Sequence, residues 1–111
     1  MMRWIEIAQT NEVKVKGTAE TAPMITAVIK DEIPYMQLSC KEKVLRLHYD
    51  FKKNDVVIVD FAKEKVYING ELQMKAVDLL YADFFRLQPE KNEIKTVPTM
   101  QLEVEYKERW L

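Results

Sequence analysis

DVVIVDFAKEKVYINGEL, residues 55–72, decides the fold. An apolar run, Val56-Val57-Ile58-Val59, leads through a charged corner into a second short run, Val66-Tyr67-Ile68. Asn69-Gly70 then turns the chain. Asn-Gly most readily takes positive φ at both central positions of a type I′ turn, whose twist matches that of paired strands. With Leu72 and Met74 beyond it, the pattern predicts a β-hairpin over residues 66–74, with Asn69 and Gly70 as its structural turn. The strand before it is expected to be buried on both faces or nearly so.

Working outward, the same short-strand rhythm continues in both directions. Upstream, Val13-Lys14-Val15-Lys16 alternates, and residues 24–29 are apolar on both faces, as an inner strand would be. Met36, Leu38 and Cys40 alternate with Tyr35, Gln37 and Ser39; Leu45, Leu47, Tyr49 and Phe51 alternate with Val44, Arg46 and His48. Downstream, residues 76–83 hold good helix formers and are read as one or two helical turns. Phe84-Phe85-Arg86-Leu87 reads as a strand, residues 89–92 as a turn, and residues 93–97 as a strand that Pro98 interrupts. Met100, Leu102, Val104 and Tyr106 then alternate with Gln101, Glu103, Glu105 and Lys107, the cleanest period of two in the chain. Parallel neighbours need long, usually helical crossovers, and almost no helix is on offer. The expected fold is therefore all-β: an antiparallel β-sandwich of jelly-roll type.

The totals suit that fold. A chain of 111 residues is long enough for one core without staples, so residues 1–111 are read as a single domain. Seventeen basic against eighteen acidic side chains leave a net charge of -1, which gives no footprint for nucleic acid. The apolar runs are far shorter than the roughly 20 residues of a membrane span, so no membrane insertion is expected. One cysteine excludes an internal disulfide.

Chemistry is sparse. The single histidine, His48, sits on the polar phase of its strand with no nucleophile motif beside it. Cys40 falls on the inner phase, as a small core residue rather than a reactive thiolate. No Cys/His spacing suits zinc, no calcium loop is present, and no glycine-rich loop cradles a phosphate. No catalytic residue, metal or cofactor is expected. Glu103 and Glu105 are the outward positions of an alternating strand, which also discourages edge aggregation. Trp4, Tyr35, Tyr67, Tyr81 and Trp110 lie on or near the non-core phase. Of these, Tyr35 and Tyr67, with His48, are the candidate surface or saccharide contacts, because a pyranose stacks its apolar face on an aromatic ring. The ordinary structural reading of such rings is cross-strand packing.

Several segments together resemble one family. Residues 15–25 (VKGTAETAPMI), Asp55-Val56-Val57-Ile58-Val59-Asp60, Val66-Tyr67-Ile68-Asn69-Gly70, Asp83-Phe84-Phe85-Arg86-Leu87-Gln88-Pro89 with Asn92-Glu93-Ile94, and residues 104–111 (VEYKERWL) follow in order. That succession is similar to the C-terminal domain of distal tail (Dit) proteins, the siphovirus-type tail component of long-tailed bacteriophages and prophages. Ala82, Glu90-Lys91 and Lys107 depart from its pattern, at turn and surface positions.

The resemblance implies a galectin-like β-sandwich and a structural, non-enzymatic role at the virion tail tip, in a protein made and folded in the bacterial host cytoplasm. It implies the C-terminal domain of a larger tail protein, or a reduced relative of one, without the N-terminal domain that forms a hexameric ring, so a monomer is expected in isolation. The implied partners are other tail, baseplate or host-adhesion proteins. A host cell-wall glycan is the alternative, although the galectin sugar motif of His, Asn, Arg and Trp is not present as such.

Overall fold

The computed structural model describes residues 2–7 and 11–109, with side chains described from residue 12 onward. Among these, the strands are β1 Met2–Ile7, β2 Asn11–Val15, β3 Met24–Val28, β4 Ile33–Cys40, β5 Lys43–Phe51 and β6 Val56–Asp60. They continue with β7 Lys65–Ile68, β8 Glu71–Leu72, β9 Val77–Ala82, β10 Glu90–Val97 and β11 Leu102–Lys107. One sheet has the order β1-β11-β3-β6-β7-β8 and the other β2-β10-β4-β5-β9. Every pairing is antiparallel. The expected two-layer antiparallel sandwich is the fold. No described helix is long and apolar enough to cross a membrane.

Alternation builds the core. Ile25, Ala27, Val57, Val59, Val66, Ile68, Leu102, Val104 and Tyr106 point inward from the six-stranded sheet. Val13, Val15, Met36, Leu38, Leu45, Leu47 and Ile94 meet them from the five-stranded one. Each fully buried aliphatic side chain contributes about 1.5–3 kcal/mol of transfer free energy, enough that a one-residue slip in any strand is excluded. The Tyr106 hydroxyl donates to the Lys14 carbonyl at 3.2 Å, so this buried polar atom ties β11 to β2 across the two layers.

The decisive stretch forms as its pattern predicts. Asn69 (φ 52°) and Gly70 (φ 82°) make the positive-φ pair between β7 and β8. With only two glycines in the chain, other tight corners fall on Lys41, Asn54, Glu64 and Glu90, all at positive φ. In β6, however, Val57 and Val59 are buried while Val56 and Ile58 on the other face are only half-buried. β3, the inner strand of residues 24–29, does lie between β11 and β6.

Three local expectations are overturned. Residues 76–83 do not make the expected helical turns: a 3-10 turn at Met74–Ala76 takes in only Ala76, and the chain then enters the edge strand β9. Pairing with β5 and the side-chain contacts described below outweigh a helix propensity of a few tenths of a kcal/mol per residue. Residues 84–87 do not join a sheet as a strand. They run extended, anchored by Phe85 and Leu87 in the core and by a single bridge in which Thr21 and Leu87 exchange N–H···O bonds of 2.9 and 2.8 Å. The turn of residues 89–92 is shorter than expected, because β10 already begins at Glu90.

Asn92 explains that early start. Buried, it accepts the Gln88 N–H at 2.8 Å and donates to the Gln88 carbonyl at 2.8 Å, so its carboxamide closes the corner from inside the strand.

Candidate functional site

The outer face of the five-stranded sheet divides into two unlike halves. On β2 and β10 the outward residues are Glu12, Lys14, Lys91, Glu93 and Lys95, partly matched in the ion pairs Lys91–Glu12 (3.3 Å) and Lys95–Glu93 (3.8 Å). Such exposed pairs contribute little stability but keep this half solvated. On β4, β5 and β9 the outward residues instead include Tyr35, Gln37, Arg46, His48, Asp78 and Tyr81.

Register brings these six together. Tyr35 stands opposite His48, and Gln37 opposite Arg46. The Tyr35 and His48 rings are 6.2 Å apart and tilted. Arg46 donates from Nε (2.9 Å) and from Nη2 (2.8 Å) to one acceptor, Gln37 Oε1. Its Cζ lies 4.2 Å from the centroid of the Tyr81 ring and 5.8 Å from that of Tyr35, a guanidinium set against aromatic faces. His48 Nε2 and Asp78 Oδ2 are 2.8 Å apart, while Asp78 Oδ1 accepts the Leu80 N–H at 2.9 Å. The His48 hydrogen bond, seconded by the Leu80 amide, holds the Asp78 carboxyl below its ordinary pKa.

These contacts substitute for a poor backbone ladder. Between the pairs Leu45–Ala82 and Leu47–Val77, β5 supplies Arg46 alone while β9 supplies Asp78–Tyr81. The surplus residues bulge outward. Leu79 and Leu80, at the bulge, are 92% and 87% exposed. Sequence reading missed this pair because it assigned the segment to helical turns. The signal was present: two large apolar residues follow Asp78, which caps its own bulge.

Tyr67 does not join the cluster. It points outward from the opposite sheet, in a cross-strand row with Thr26, Ile58 and Leu72. Its neighbours are aliphatic apart from Thr26, the setting of a packing residue. Asn69 is tied to β6 by its backbone N–H to the Val56 carbonyl, by the Val56 N–H to its Oδ1 (2.9 Å), and by its Nδ2 to Asp55 Oδ1 (3.0 Å). The Asn69 bond, followed by the Lys52 amide, holds Asp55 low as well. The Trp4 side chain and Trp110 lie outside the described residues.

Nothing in this arrangement assembles a reaction centre. Cys40 is buried, and that burial pushes its thiol up, with Lys41 pulling the other way. No group of three or more His, Cys, Asp and Glu among the described residues is placed to hold a metal. A groove of about 730 Å³ beside Cys40 is lined by Glu20, Lys41, Glu42, Lys43, Phe84 and Arg86, with charges of both signs and no nucleophile–base pair.

Comparison with known proteins gives two results. A family model described as "Siphovirus-type tail component, C-terminal domain" matches residues 16–110. Among solved structures, the chain is similar to the crystal structure of the SPP1 Dit (gp 19.1) protein, described as a paradigm of the hub adsorption apparatus in phages infecting Gram-positive hosts. The TM-score is 0.82 at 18% identity, over 96% of this chain and 46% of that one. At that identity the likeness speaks for the fold, and the chain spans less than half the length of its match. No curated protein matches the chain.

Proposed function

Because the chain belongs to the siphovirus-type tail component family, by its C-terminal domain, we propose that it is a non-enzymatic structural part of a phage or prophage tail tip. In this reading it docks other baseplate or host-adhesion proteins. The observation that carries the docking step is the β9 bulge. Single apolar side chains on a surface are ordinary, but two adjacent leucines held almost wholly in water on a bulged edge strand are the form of an anchor. The bulge also prevents the edge from templating indiscriminate strand addition. Tyr81 and Arg46 beside it belong to the residue types enriched at interface centres.

The test is co-purification with the products of adjacent tail genes. A complex is expected for at least one of them, and Leu79→Ser/Leu80→Ser should weaken it by about tenfold or more while leaving the melting temperature unchanged. An unchanged affinity for the double variant moves docking off β9; no complex with any neighbour sinks the reading.

A second reading, a carbohydrate-binding module for host cell-wall saccharide, is favoured by one observation. Tyr35 and His48 do share a face with an arginine and a second tyrosine.

A further inference from the structure

Resting on that second reading, we propose that the face built by Tyr35, Gln37, Arg46, His48 and Tyr81 binds an anionic saccharide, a pyranose chain bearing carboxylate or phosphate groups. The state of Arg46 points to an anion. It is half-buried and fixed on both sides, yet its fixed partner, the Gln37 carbonyl, is neutral. No described carboxylate forms an ion pair with it. Asp78, the nearest acid of the cluster, is already taken by His48 and the Leu80 amide. Asp78 acts on Arg46 only through its field, without an ion-pair contact, so an ordered arginine whose Nη1 has no described partner still offers hydrogen-bond donors to an oxyanion.

The rest of the face selects what carries the anion. Among the described residues, the carboxamide nitrogen of Gln37, the Nδ1 of His48 and the hydroxyls of Tyr35 and Tyr81 have no hydrogen-bond partner, and they share the face of the guanidinium as hydrogen-bonding groups for hydroxyls. The Tyr35 and Tyr81 rings, 37% and 39% exposed, are apolar planes on strands flanking β5. Two strand spacings, about 9.6 Å, separate them, with the Arg46 guanidinium between, so a saccharide that touches both rings runs across the strands and sets its anion over β5. An acidic peptide would satisfy the arginine but leave both planes and most of the hydroxyl partners unused. The solvated Lys/Glu half of the sheet, charged but ion-paired, offers no such site.

The full chain, isotope-labelled, is titrated with tetragalacturonate, with maltotetraose as the neutral sugar and tetraglutamate as the anion without sugar rings. Binding is expected for tetragalacturonate, with shifts at Tyr35, Arg46 and Tyr81, at least tenfold tighter than for either control and weakened by salt. Arg46→Gln should lower that affinity about tenfold; Arg46→Lys, which keeps the charge but not the planar fork, should lose most of it as well and serves if the glutamine variant fails to fold. Equal binding of maltotetraose overturns the anionic inference and leaves the saccharide reading standing. Equal binding of tetraglutamate overturns it in favour of an acidic protein partner. No shift with any of the three overturns both.

Discussion

Gly17 and Gly70 are needed for opposite reasons, and single substitutions separate them. A Cβ on Gly17 would lie 2.3 Å from the Arg109 carbonyl oxygen and 2.7 Å from its nitrogen, against backbone that cannot step aside. That same carbonyl accepts the N–H groups of Thr18 (2.8 Å) and Ala19 (3.1 Å), so the loop before β3 closes on the end of β11 through contact that only glycine allows. Gly17→Ala is expected to cost about 1–3 kcal/mol, as overpacking does, measured by urea denaturation. At Gly70 nothing lies within 4 Å, and only its φ of 82° resists a side chain; Gly70→Ala should cost about 1–2 kcal/mol. Asn92→Ala tests a buried polar group instead. It leaves the Gln88 N–H and carbonyl without their 2.8 Å partners, and a loss of about 1–3 kcal/mol is expected by the same measurement. The Gly-Thr and Asn-x-Ile segments were visible in the sequence as family landmarks. Their physical role was not, because close approach to Arg109 and enclosure of Gln88 join positions far apart in the chain or hidden within a corner.

Among the elements, β9 is held differently from the rest. Its ladder to β5 has two pairs, so His48–Asp78 and Arg46–Tyr81 do much of the fastening. Asp78 has a depressed pKa in the folded chain, so near pH 4 the folded state binds fewer protons than the unfolded one, and stability rises with pH there. Its contribution is full above the ordinary carboxylate pKa of about 4 and is lost as pH falls through the lower folded value. Asp55, also depressed, acts in the same direction on the Asn69 turn. Asp78→Asn should therefore flatten the acid limb of the melting-temperature profile below about pH 4, and Asp55→Asn should flatten it further. Amide exchange of Asp83, whose N–H donates to the Val44 carbonyl at 3.0 Å beyond β9, should quicken in Asp78→Asn but not in Asp55→Asn. Strands whose faces differ were legible from alternation alone: β4, β5 and β11 stand close to where the pattern puts them. β9 was not, because its sequence carries helix formers and its strand state comes from contacts with residues some thirty positions away.

At the scale of the whole molecule, the two proposed surfaces meet on β9, and that makes their dependence on each other testable. Tyr35 and His48 were legible as surface residues because they fall off the core phase of two clear strands. That they would be neighbours, with Tyr67 on the far layer, depended on which strands pair, and alternation does not encode pairing. The sandwich places Tyr35 on β4, two strands from the β9 leucines, with Arg46 between them gripping Tyr81. Tyr35→Ala therefore removes a sugar plane without touching β9, and Leu79→Ser/Leu80→Ser removes the anchor without touching the sugar face. Each should weaken one binding event and spare the other. Arg46→Gln is different, because it withdraws the ligand's anion partner and also the cation that holds Tyr81 beside the bulge. It should weaken tetragalacturonate binding directly and partner docking by a smaller factor through a looser β9. Sites that share no residue add within about 0.3–0.5 kcal/mol, whereas sites joined through one contact do not. The combination of Arg46→Gln with Leu79→Ser/Leu80→Ser should accordingly weaken docking by less than the product of the two separate effects. A strictly multiplicative loss would mean that Arg46 does not support the bulge and that the two surfaces are independent.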